Sequence, residues 1–414
     1  MINPWRQLRG LPREVWLLFT AILVNRAGTM VLPFLVLYLT RSLSLPPGRA
    51  ALAMAAYGVG AILTAPVAGR LADRFGPRRI VTTSLFLSAL LLLIYPLLRS
   101  YTTILWMTLL WSVASEALRP ASLAWMSDLV APERRRAAFA LSRLGVNLGM
   151  SLGPAVAGFV VQVSFTAIFV LDAATSLLAG ALLVLATRGG GAGAAGGPAA
   201  ASPERAGKTA TSSGGRPIRR AYGDAAFLYF VLAILPVEIV FFQDQSTLPL
   251  FLVRDLGLRE SAYGLLFTIN TLLITLLEVP LVAALSGWSY RRTLALGALF
   301  IGAGFGSLVL AQGFAGIAAT VVIWTFGEMI FVPASAAYVA EAAPPGRRGE
   351  YIGVYSMSFS AAFALAPWIG TLVMEACGAR TLWVGALVAG LLSAALLLLV
   401  RERPRPAPGG GRVE

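Results

Sequence analysis

Apolar stretches of roughly twenty residues, long enough to cross hydrocarbon, recur along the whole chain between short polar links. They predict helices over 15–40, 50–72, 80–98, 102–126, 138–163 and 165–187, then over 224–253, 261–285, 293–311, 316–339, 351–374 and 381–400. Between 188 and 222 the pattern disappears into Gly, Ala, Ser and Pro with scattered charges, including the chain's only lysine, Lys208. Such a stretch buries too little apolar area to offset the entropy of ordering, so it reads as a flexible tether. The expected organisation is a leading segment 1–14, a six-helix bundle 15–187, the linker 188–222, a second bundle 223–400 and a tail 401–414.

The two halves repeat at one offset. Moving 213 residues along from Arg41, Arg78, Arg79, Trp111, Pro120, Pro132, Arg134, Arg135 and Pro154 lands on Arg254, Arg291, Arg292, Trp324, Pro333, Pro345, Arg347, Arg348 and Pro367. Asp128 maps likewise to Glu341. One offset spanning kinks, loop arginines and an aromatic implies two bundles related by a pseudo-two-fold axis along the membrane normal. The fold class is therefore all-α integral membrane, with about twelve transmembrane helices in two pseudo-symmetric bundles.

Composition agrees. The chain is 57% hydrophobic and 13% charged, with a mean hydropathy of +0.77, more apolar surface than a soluble fold of this size hides. The net charge of +14 sits in arginine clusters between apolar runs, which fits the positive-inside bias better than nucleic-acid binding. The links beside the two termini carry Arg6, Arg9, Arg13, Arg74, Arg78, Arg79, Arg134 to Arg136, Arg291, Arg292, Arg347 and Arg348. The opposite links carry only Arg41, Arg49, Arg99, Arg254, Arg259 and Arg380. Both termini are accordingly expected in the cytoplasm, the chain in an inner membrane, and 1–14 as a retained segment with no cleavage site.

Between the second and third runs lies Gly69-Arg70-Leu71-Ala72-Asp73-Arg74-Phe75-Gly76-Pro77-Arg78-Arg79. This loop resembles the signature loop of the major facilitator superfamily of transporters. The resemblance implies a latch at the cytoplasmic face, formed by Gly69, Asp73, Arg74, Gly76, Arg78 and Arg79 with Asp128 and Arg135. The second copy, Ser286-Gly287-Trp288-Ser289-Tyr290-Arg291-Arg292, lacks the acid, so a carboxylate latch is expected at the first copy only. In the fifth run Gly145, Gly149, Gly153, Pro154 and Gly158 form a small-residue stripe with a kink. It serves ordinary close packing, or it resembles the antiporter motif of drug–proton exchangers, which packs the bundles together. The pattern Arg-x-x-Gln-Gly, usual in the fourth helix of those exchangers, is absent.

Charges at membrane depth are costly and default to function. Arg26 lies beside Asn25 in the first run, Glu116 and Arg119 in the fourth, Glu238, Gln243 and Asp244 in the seventh, Glu278 in the eighth and Glu328 in the tenth. The resemblance places the first, fourth, seventh and tenth helices around a central cavity. Proton-carrier candidates are Glu116, Asp244, Glu328 and then Glu238; substrate-cavity candidates are Asn25, Arg26, Arg119, Gln243, Phe241 and Trp324. Structural alternatives stand beside these: Glu116 with Arg119 or with Arg26, Glu278 with loop arginines, Arg143 with the adjoining loop, and Asp172 as a structural acid.

The chain has no histidine, one cysteine (Cys377) and no phosphate-cradling loop ending in lysine. No catalytic constellation, metal site, cofactor or nucleic-acid partner is expected. The expected function is secondary active transport by alternating access: proton-coupled efflux of a small amphipathic compound by a monomer. The alternatives are a proton-coupled importer of peptides or other nutrients, and a lipid flippase on the same fold.

Overall fold

The computed structural model describes residues 10–131, 134–188, 221–285, 287–344 and 347–401. Nearly all of the expected linker, and the tail beyond Arg401, lie outside the described residues.

The first half comprises α1 (Arg13–Ala27), α2 (Val31–Leu37), α3 (Pro47–Phe75), α4 (Pro77–Ile94), α5 (Tyr101–Glu116), α6 (Leu118–Leu129), α7 (Arg135–Val160) and α8 (Phe165–Arg188). The second comprises α9 (Ala225–Phe241), α10 (Thr247–Leu250), α11 (Glu260–Ala284), α12 (Tyr290–Gly306), α13 (Gly313–Ala342), α14 (Arg348–Cys377) and α15 (Ala379–Leu398). Three pairs run on as single rods, α1 into α2, α5 into α6, and α9 into α10, which makes twelve spans in two six-helix bundles. Nine of the described helical stretches cross a membrane by length and composition alone. The rods begin and end within a few residues of the apolar runs, because hydrocarbon forces every backbone group into an internal hydrogen bond.

Three expected spans are not continuous. The first breaks at Gly28–Met30, the fourth at Ala117, and the seventh passes through a 3-10 turn at Phe242–Gln245 before α10. The pseudo-symmetry reaches this detail. Tyr38–Ser42 and Phe251–Asp255, 213 residues apart, are both π-helical turns. Each is closed by an equivalent bond, Leu45 N to Leu39 O at 3.0 Å and Leu258 N to Leu252 O at 2.9 Å. Such wide turns, and the breaks above them, hold backbone groups satisfied where a regular helix would not turn.

The cores are aromatic. Tyr95 stacks on Phe169 at 5.2 Å and Phe169 meets Tyr38 at 4.7 Å in the first bundle. In the second, Phe305 stacks on Trp324 at 5.5 Å and Trp383 meets Phe251 at 5.4 Å. Buried Tyr and Trp polar atoms are mostly matched, Tyr95 sharing a 2.7 Å hydrogen bond with Thr108 and Trp111 donating to Ser88 at 3.1 Å. The α3–α4 link turns at Gly76 with φ +86°, a left-handed conformation that favours glycine.

Candidate functional site

The first span is broken beside α8, and α8 holds the break. The backbone N–H groups of Met30 and Val31 donate to Asp172 Oδ2 at 3.1 and 3.2 Å. Asn25 donates to Ser176 Oγ at 3.0 Å, and a Cβ at Gly28 would fall 1.6 Å from Thr175 Oγ1. Asp172 thus caps the start of α2, where unpaired N–H groups attract an anion. The cap leaves Asn25 and Arg26 half-buried at the end of α1, with Arg26 Nε lacking a hydrogen-bond partner among the described residues.

Glu116 ends α5 at the break, and Tyr57 of α3 donates its hydroxyl to Glu116 Oε1 at 2.8 Å. Among the described residues Glu116 forms no ion pair with Arg26 or Arg119. Its partner is a neutral phenol that sequence reading passed over. Arg119, one residue into α6, is exposed.

In the second bundle the carboxylates fall into two groups. Glu238 is 1% exposed and neither oxygen has a hydrogen-bond partner among the described residues. Nearby Ser358 turns its hydroxyl to Tyr355 O at 2.9 Å, while the Tyr355 hydroxyl pairs with Ser335 Oγ at 2.7 Å. One turn along from Glu238, Phe242 meets Phe241, Phe359 and Phe363 at 5.2, 4.9 and 5.0 Å. Phe363 continues this aromatic wall across the seam to Tyr57 at 5.8 Å. Glu238 therefore sits at one edge of an aromatic lining whose other edge reaches the phenol bonded to Glu116.

Asp244 lies in the 3-10 turn, buried, with Oδ1 unpartnered among the described residues. Glu328 accepts from Asn270 Nδ2 at 2.9 Å, and that amide also donates to Thr325 Oγ1 at 3.0 Å. Two cavity candidates occupy structural positions. Gln243 donates to Ile239 O and Ala366 O and accepts from Thr247, tying α9 to α14. Trp324 is 5% exposed, sandwiched between Phe305 and Phe241. Phe241 is half-buried on the aromatic wall.

Two seams join the bundles. Along α7 and α11, Arg143 pairs with Glu278 and Thr268 donates to Ser151 O at 2.9 Å. A Cβ on Gly264 would fall 2.3 Å from Pro154 O, and one on Gly158 2.9 Å from Ser261 Cα. Along α3 and α14, Gly58 packs on Ala364. Arg41, in the first π-turn, pairs with Glu260 at the start of α11, and Phe34 meets Tyr263 at 5.2 Å. A 520 Å³ cavity opens at that arginine-poor end beside Thr40, Arg41, Arg254 and Glu375. The small-residue stripe divides its work. Gly145, Gly149 and Gly153 face Phe19, Arg26 and Thr29 within the first bundle, whereas Pro154 and Gly158 face the second. Glu278 pairs with a side chain of α7, not with a loop arginine.

Of the expected latch, the side chains of Gly69, Asp73 and Arg135 lie outside the description. Arg74 stacks over Phe75 at 5.3 Å, Arg78 and Arg79 are exposed beside the Gly76 turn, and Asp128 is exposed at the end of α6.

The description of the Major Facilitator Superfamily matches residues 17–251 and 245–414. The chain belongs to this superfamily. Among its relatives, the uncharacterized MFS-type transporter YqjV of Bacillus subtilis (strain 168) is 23% identical over 94% of this chain and 93% of its own. The Na(+), Li(+), K(+)/H(+) antiporter of Planococcus maritimus is 23% identical over 83% and 85%. Multidrug resistance protein 1 of Bacillus subtilis (strain 168) is 21% identical over 78% and 79%. Among solved structures, the peptide transporter POT in complex with sulfate superposes with a TM-score of 0.74 at 20% identity, covering 96% of this chain and 98% of that one. This likeness shows a shared fold. As a facilitator-superfamily member the chain is a multi-pass membrane transporter of small molecules.

Proposed function

We propose that this transporter exports a lipophilic organic cation in exchange for protons. The observation that carries the reading is Glu238, 1% exposed with both oxygens unpartnered, one turn from Phe242 and the wall of Phe241, Phe359 and Phe363. An uncompensated buried carboxylate costs several kcal/mol, roughly, and either a proton or a cationic ligand relieves that cost. Aromatic faces add attraction for a cation and apolar area for the rest of the molecule. Proton and substrate then compete for one carboxylate, which is the physical basis of exchange. Asp244 and Glu328, in the same bundle, extend the set of acids able to carry a proton.

In this reading the arginine-rich end is cytoplasmic, in a bacterial inner membrane, and both termini lie on that side. The two bundles rock about the seams to expose the site alternately, and the monomer is the working unit. The relatives named for multidrug resistance and for cation–proton antiport support the reading. The direct test is equilibrium binding of tetraphenylphosphonium to the purified protein in weakly buffered detergent solution. Binding releases protons in the wild type. Glu238→Gln abolishes that release, and unchanged release from the variant would end the assignment of Glu238.

A further inference from the structure

At the arginine-rich end of the second bundle, a cavity of 230 Å³ opens between α11, α12 and α13. Its walls include Val282, Leu285, Ile330 and Pro333, and its mouth carries Trp288 and Tyr290. Trp288 is 46% exposed and Val282 38% exposed, so the cavity faces outward, away from the bundle axis. Large apolar side chains left open at the end of a span belong against lipid, and Trp and Tyr at that level suit the headgroup boundary.

The charge at the mouth has one sign. Arg291 and Arg292 open α12 and are exposed. The first-copy loop carries Asp73 and Arg74 where this loop has Ser286 and Gly287, so the acid is missing here. The other acid near the mouth, Glu341, accepts a 2.9 Å hydrogen bond from Tyr290. Ser289 accepts from Arg292 N and marks the start of α12, whose aligned backbone dipoles also favour an anion.

We infer that this cavity holds one anionic phospholipid, its acyl chain among Val282, Leu285 and Ile330 and its phosphate at Arg291 and Arg292. The apolar recess selects a chain, and the two guanidinium groups select the headgroup. A zwitterionic lipid fills the recess equally well but gains less at the mouth. The site lies on the outer wall of the bundle, and it rests on the membrane reading of the fold, independent of which solute is carried or whether protons are coupled.

Trp288 reports on the site. The full-length protein is reconstituted in phosphatidylcholine vesicles containing phosphatidylglycerol brominated on its acyl chains, or phosphatidylcholine brominated in the same way at equal mole fraction. Trp288 is one of nine tryptophans, so its signal is the difference between wild type and Trp288→Phe. Quenching of that component should need roughly five- to tenfold less brominated phosphatidylglycerol than brominated phosphatidylcholine. Arg291→Gln with Arg292→Gln should bring the two lipids level. Ala337→Leu, which narrows the recess from its exposed edge, should weaken quenching by both lipids. Equal quenching of the wild type by both lipids would mean ordinary annular contact and overturn the proposal, as would a preference that survives the double arginine variant.

Discussion

Tyr57 donates its hydroxyl to Glu116 Oε1 at 2.8 Å, tying the second span to the fourth. In the other bundle Asn270, 213 residues beyond Tyr57, donates to Glu328 at 2.9 Å and ties the eighth span to the tenth. Duplication has kept a neutral donor facing a membrane-depth glutamate in each half while changing the donor's chemistry. An interhelical hydrogen bond in a membrane contributes about 0.6–1.7 kcal/mol. Tyr57→Phe should therefore lower thermal stability in detergent by about 1 kcal/mol. Asn270→Leu should cost more, because the same amide also holds Thr325. If both variants melt with the wild type, the pairs do not tie the spans.

The cap on the first span gives a test of backbone chemistry. Asp172→Asn keeps an oxygen that can accept from Met30 and Val31, whereas Asp172→Ala leaves two buried N–H groups unmatched. The alanine variant should lose about 1–2 kcal/mol and the asparagine variant less than half of that. Thermal unfolding ranks the two, and equal losses would remove the capping explanation.

Arg143 and Glu278 close the seam between α7 and α11. Removing one partner of a fully buried pair costs about 3–5 kcal/mol. The Arg143 side chain is 56% exposed against 11% for Glu278, which screens the pair and brings the expected cost of Arg143→Gln to about 1–2 kcal/mol. Adding Glu278→Gln should recover at least half, since the stranded charge is then gone. A double variant no more stable than the single one would mean that Arg143 acts through packing.

The glycine stripe should separate into two phenotypes. Gly149→Ala drives a Cβ to 2.5 Å from Arg26 Cβ and should destabilise the first bundle by about 1–3 kcal/mol. Gly264→Ala meets Pro154 O at 2.3 Å across the seam and should slow transport more than it lowers the melting temperature. Identical effects on melting and transport would mean that the stripe is one structural unit.

The twelve spans, the duplicated halves and the seam residues Pro154 and Gly158 were legible in the sequence, because lipid allows few solutions and each leaves a long apolar run or a small residue. The breaks at Gly28–Met30, Ala117 and Phe242–Gln245 were not legible. Hydropathy averages over roughly twenty positions and hides a three-residue interruption. The partners of the acids escaped for another reason. Tyr57, Asn270 and Tyr355 are uncharged, so a search for charge at membrane depth passes over them, although the common offset of Tyr57 and Asn270 is a signal that was present. Gln243 and Trp324 show the converse error: a polar or aromatic residue in a cavity-lining span can still point into its own bundle.

Exchange of a lipophilic cation for protons is tested most directly in proteoliposomes loaded with tetraphenylphosphonium under an imposed pH gradient. Wild-type flux should follow the gradient in size and direction, while Glu238→Gln should carry at most about a tenth of it, a loss worth about 1.4 kcal/mol. Flux that ignores the gradient, or that survives Glu238→Gln together with Asp244→Asn and Glu328→Gln, would contradict proton exchange through these carboxylates.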